Sequence, residues 1–147
     1  MHRSRITLIL PLAIAWLATP ALAHHSFAAY ESSRTVTLTA TVESFEWANP
    51  HVELQILTEA NGAKPQARWR IETSSPGILE RFGWKRDSVR RGDRVTIVFN
   101  PMIDGSRQGR LLTLAQLGSG KVLNTKLSVC LARVAAGQPG FGPSGKC

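Results

Sequence analysis

Apolar residues in this chain recur at every second position in several separate stretches, and only once does the period lengthen to that of a helix. Alternation of side chains between two faces marks a half-buried strand, so the pattern restricts the chain to a β-rich fold with one helical insert. The first stretch, Thr35 to Trp47, sets Val36, Leu38, Ala40 and Val42 on one face and threonines on the other. Asn49-Pro50 breaks it. His51 to Leu57 resumes the alternation with Val52, Leu54 and Ile56 inward, an Asn61-Gly62 turn follows, and Ala67 to Glu72 alternates again around Trp69 and Ile71. Three consecutive strands of this kind predict a meander.

The change of period falls between Thr73 and Gly83, where Ser75 suits the N-cap, Pro76 the first helical position and Gly83 the exit. One short helix is expected there. A fourth strand spans Arg94 to Phe99 and a fifth Gly109 to Leu117, with Gly118-Ser119-Gly120 turning the chain into a small terminal hairpin at Lys121 to Leu123. Three strands, a helix and two strands is the order of a five-stranded Greek-key barrel of the OB type, with the helix between strands three and four. A small β-sandwich could use the same strands, and the pattern alone does not separate the two.

The first 23 residues read as an export signal. His2, Arg3 and Arg5 give a basic start, Ile6 to Ala18 is almost wholly apolar, and Ala21-Leu22-Ala23 is a small-x-small cleavage site. Pro11 interrupts the apolar run and Pro20 closes it, short of the roughly 20 residues a retained anchor needs, so no transmembrane anchor is expected after processing. Cleavage would leave 124 of the 147 residues and, without Arg3 and Arg5, lower the formal charge from +8 to +6. The expected organisation is an N-terminal arm over residues 24–34, the barrel over 35–123 and a flexible glycine-rich C-terminal tail over 124–147. Cys130 and Cys147 are the only cysteines. An oxidising compartment, most simply the periplasm, would let them pair, but their spacing does not decide whether they do.

Several short strings follow one another along the chain: His24-His25-Ser26-Phe27 at the mature start, Trp47-Ala48-Asn49-Pro50-His51, Glu72 with Ser75-Pro76, Phe82-Gly83-Trp84, Gly92-Asp93-Arg94-Val95 and Asp104-Gly105-Ser106. Together they resemble a family of small exported bacterial proteins of unknown function, over His24 to about Leu123. The resemblance implies export and a compact β domain. It brings no activity with it, and both cysteines lie outside it.

Two sets of residues carry candidate chemistry. Cleavage after Ala23 would give His24 a free α-amine, whose pKa of about 7.7 to 8.0 leaves neutral amine accessible near neutral pH. Amine and ring of His24, with His51 and the assistance of His25, make a nitrogen-rich metal site, and copper is the ion that such donors favour. Glu46 and Glu53 flank the Asn-Pro-His turn, where hydrogen-bond support of His51 and plain strand alternation explain them equally. The second set is Trp69, Trp84, Arg81, Arg86 and Arg90, aromatics among cations that suit an anionic envelope ligand or an oligosaccharide. Export argues that nucleic acid is not a partner. Ser74, Ser75, Ser106 and Ser119 lack the strand-turn-helix context of a catalytic serine, and Glu43 and Glu72 read as ordinary exposed strand residues, so a binding module and not an enzyme is expected.

Overall fold

A computed structural model describes residues 27–60, 62 and 65–147 of the chain. The predicted signal segment, with His24 and His25, lies outside the described residues. Strand β1 (Val36–Glu46) pairs antiparallel with β2 (Glu53–Thr58) and with β4 (Arg94–Pro101); β2 pairs with β3 (Arg68–Glu72), and β4 with β5 (Gln108–Gln116). A parallel pairing of β3 with β5, Arg70 to Glu72 against Gln108 to Arg110, closes the sheet into a five-stranded barrel. Closure settles the choice between barrel and sandwich in favour of the OB-like barrel. Strand β6 (Val122–Asn124) folds back on β5 as the expected small hairpin. Among the described residues no helix is long and apolar enough to cross a membrane.

The alternating residues do what their period demands. Ala40, Val42, Leu54, Ile56, Ile71, Val95, Ile97, Phe99, Leu111 and Leu114 fill the barrel, all essentially without solvent contact. In β1 the register slips between Val42 and Ser44, so Glu43 is an extra residue without a partner on β2. The bulge resets the phase: Phe45 and Trp47 turn inward to pack on the core while Glu46 faces out. Without it, period two would have aimed Ser44 and Glu46 at the core.

Helix α1 (Pro76–Glu80) follows β3 and precedes β4 in the chain, and places Leu79 in the core. Ser75 holds the N-cap in extended backbone, Pro76 supplies a fixed φ at the first turn, and Gly83 leaves at φ +82, a left-handed conformation that glycine takes without strain. Leu79 and Trp84 are buried beneath it, and the Trp84 indole Nε1 donates to the Asn124 carbonyl at 2.7 Å, tying the helix exit to β6. Gly109 occupies the closing seam. A Cβ there would overlap the Phe99 ring, so only glycine lets β5 lie this close to β4.

The segment from 124 onward differs from the flexible tail expected of it. Residues Lys126–Ala135 form helix α2, started by a capping box in which the Thr125 side chain accepts from Ser128 N and the Ser128 hydroxyl from Thr125 N. Cys130 is buried and joined by a disulfide to Cys147, with the two Cα atoms 5.7 Å apart. The Thr125 hydroxyl donates to the Leu111 carbonyl and Thr125 N to that of Leu112, which anchors the helix on β5.

Candidate functional site

Strand β3 ends at Glu72, and three elements converge on its carboxylate. From the N-terminal side, a 3-10 turn at Phe27–Ala29 leads into Tyr30, which bridges to Met102 while Glu31 N donates to the Pro101 carbonyl and Ile103 N to that of Ala29. This pins the arm across the end of β4. The buried Tyr30 hydroxyl then donates to Glu72 Oε2 at 3.1 Å. From the entry to β2, His51 Nδ1 lies 2.8 Å from the other oxygen, Oε1. From β5, Arg110 stands directly across from Glu72 in the parallel pair.

An ionised carboxylate can only accept hydrogen bonds, so the proton of the 2.8 Å contact sits on His51 Nδ1. In the neutral ring the lone pair is then on Nε2, and coordination to a metal has to come through that nitrogen. The side chains of His51 and Glu72 retain 32 % and 20 % of their exposure, which makes this a rim site and not a core ion pair. Burial first, and then the charge and hydrogen bond of Glu72, push the Tyr30 phenol well above its usual range, so it remains a donor across physiological pH. Burial lowers Arg110, partly offset by Tyr30 and Glu72 beside it.

Glu53 is directly opposite Glu72 on β2, and like charges in such a pair repel. Arg70 relieves this by pairing with Glu53 at 2.6 Å, a hydrogen bond that raises the Arg70 guanidinium. The support for His51 is therefore Glu72, the residue read from sequence as a plain strand glutamate. Glu53 is committed to Arg70, and Glu46 faces solvent. Tyr30 and Arg110 also escaped the sequence reading. Two signals pointed to Glu72: its place beside Ser75-Pro76 in the motif set that includes Asn-Pro-His, and the matching of β2 to β3, which aligns Glu53 with Glu72 two residues from His51. Of the proposed metal ligands only His51 is described, and among the described residues no three His, Cys, Asp or Glu side chains are grouped to hold an ion.

The second predicted set does not assemble. Trp84 is 1 % exposed and hydrogen-bonded inside the protein, so it cannot meet a ligand. Trp69 lies edge-on to Phe99 with centroids 5.2 Å apart, packed against the core. Arg81 borders a small apolar groove with Phe82 and Phe141, whereas Arg90 lines a separate polar cleft and Arg86 lines neither.

With this geometry in place, the sequence pattern identifies the family. Residues 13–111 match a family of unknown function, DUF6152. The chain belongs to that family. DUF6152 membership agrees with the resemblance drawn from the motifs and adds no activity to it. Among curated proteins no match was found. Two solved structures of similar fold are crystal forms of Rim1, a mitochondrial single-stranded DNA-binding protein from S. cerevisiae. One is 10 % identical, has a TM-score of 0.45 and covers 57 % of this chain and 93 % of its own; the other is 12 % identical, has the same TM-score and covers 60 % and 97 %. Both are single-stranded DNA-binding proteins, against the expectation that nucleic acid is not a partner, and that exclusion is withdrawn. Export had been its only ground, and export says nothing about what the barrel can hold.

Proposed function

We propose that the processed protein is an exported binding module, not an enzyme, that holds a copper ion between the α-amine and ring of His24 and Nε2 of His51, with His25 assisting. One observation carries the reading. The arm that leads from the N-terminus and the loop that carries His51 meet on a single carboxylate, Tyr30 on one oxygen of Glu72 and His51 on the other. His24 lies three positions before the 3-10 turn at Phe27–Ala29, and three extended residues give the amine a reach of about 10 Å from that turn. A ring that donates Nδ1–H to a carboxylate is oriented and made more basic at Nε2, the usual outer-shell arrangement of a metal-binding histidine. Amine and imidazole donors together favour copper over its first-row neighbours.

The test uses naturally processed protein whose N-terminal residue has been identified by mass. Cu(II) is titrated against this protein, against His51→Ala and against a form with one glycine added before His24. One equivalent bound by the first, with both others weakened, is the expected result. Stoichiometric binding indifferent to His51→Ala would overturn the three-nitrogen site.

A further inference from the structure

At the opposite end of the barrel, the loop between α1 and β4 and the turn between β5 and β6 enclose a cleft of ≈ 910 Å³. Four cations line it: Lys85, Arg90, Arg94 and Lys121. Arg94 is paired with Glu59 at 2.6 Å, but among the described residues Lys85, Arg90 and Lys121 have no acidic partner within ion-pair distance. Two acids, Asp87 and Asp93, also border the cleft, and Asp93 is turned to the loop itself: its Oδ2 accepts from Arg90 N at 2.9 Å and from the Gln116 amide at 3.0 Å.

Gln116 joins the two walls. Its Nε2 donates to Asp93 and, at 3.1 Å, to the Ser88 carbonyl of one loop, while its Oε1 accepts from the Ser119 hydroxyl of the other at 3.2 Å. Backbone bonds from Gly120 N to the Gln116 carbonyl and from Gln116 N to that of Lys121 fix the turn. The walls are thus set before any ligand arrives, and the long cationic side chains stand exposed on the rim.

From this we infer that the cleft binds a small multivalent oxyanion, a molecule bearing several phosphate or sulfate groups. Ammonium and guanidinium groups without acids of their own recognise that chemistry by charge-assisted hydrogen bonds. The volume falls within the usual range for small-molecule sites, about 300 to 1,000 Å³. No aromatic side chain lines it, so it offers bases no stacking platform of the kind that single-strand binders use. This assignment is independent of the copper site.

The experiment is calorimetric titration, at low and at physiological ionic strength, with inorganic tripolyphosphate, a sulfated disaccharide and an oligothymidylate. Lys85→Gln, Arg90→Gln and Lys121→Gln are combined in one variant. Arg81→Gln, Arg86→Gln and Arg91→Gln are combined in a control that removes the same charge from outside the cleft. Saturable binding of tripolyphosphate or of the disaccharide, weakened at least about tenfold by the first variant and under about threefold by the control, is expected. Which of the two binds more tightly separates a phosphorylated from a sulfated ligand. Equal weakening by both variants, or no saturable binding of either small anion, would overturn the site. Tighter oligothymidylate binding with the same dependence on the three residues would replace the small ligand with a nucleic-acid strand.

Discussion

Replacing Gly109 by alanine tests how the barrel is closed. The added Cβ would overlap Cδ2 of Phe99 and come within 2.7 Å of Cε2 and 3.1 Å of the Asn100 carbonyl. Neither neighbour can yield cheaply, because the ring is fully buried edge-on to Trp69 and Asn100 is fixed in β4 by pairing with Arg110. Overpacking of a well-filled core costs about 1 to 3 kcal/mol, and two rigid obstacles put Gly109→Ala in the upper half of that range. At about 4 °C per kcal/mol for a domain of this size, the melting temperature should fall by about 8 to 12 °C. Phe99→Leu removes the obstructing ring edge and by itself costs about 1 to 2 kcal/mol as a large-to-small change. In the double variant the alanine should then cost about 1 kcal/mol less than it does alone, a coupling within the range measured for residues in contact. Thermal melts and urea titrations of the four proteins give the cycle. Costs that add to within about 0.5 kcal/mol, or a Gly109→Ala melt unchanged from the parent, would refute the steric account.

Glu72→Gln keeps the shape of the side chain but removes the charge that orients His51, and Cu(II) affinity should drop about 10- to 100-fold with the far-ultraviolet circular dichroism unchanged; unaltered affinity would remove Glu72 from the site. Tyr30 is the only tyrosine, so absorbance near 295 nm reads it directly. Its folded pKa is raised above the ordinary 10.0, so the stability it contributes is complete below pH 10 and is lost as pH rises above that point, and Glu72→Gln should bring the titration back toward ordinary alkaline values. A phenol that ionises at 10 in the folded protein contradicts this. Cys130→Ser with Cys147→Ser opens a link between residues 17 apart, worth about 3 kcal/mol in the chain-entropy model, and should lower the unfolding midpoint in urea; an unchanged midpoint would show that α2 does not unfold with the barrel.

Strand existence, the single helical insert and the barrel order were legible because each buried strand shows its period in one linear stretch. The bulge at Glu43 was also written there, as the three-residue step from Val42 to Phe45 in a pattern otherwise spaced by two, but it is visible only when the alternation is followed past its break. Helix α2 was obscured because its capping box uses Ser128 in place of the usual Glu or Gln, and because the glycine-rich stretch that follows dominates the composition. In the site, His51 stood out by residue type. Glu72 did not, since its neighbourhood depends on pairing across a connection that runs from Thr58 to Arg68, too long for turn chemistry to fix the register. Trp84 was misjudged for a related reason: its cationic sequence neighbours are exposed, while its own ring packs inward on Phe45 and reaches β6.

Strand β5 carries Arg110 near one end and Gln116 at the other. At about 3.3 Å per residue, the six steps between them separate the two ends of the barrel by about 20 Å. That exceeds twice the Debye length of about 8 Å at physiological ionic strength, so a charge gained at either end is screened from the other. Occupancy of the two ends should therefore be thermodynamically independent unless β5 itself shifts, which makes a measured coupling between them a direct report of movement along that one strand.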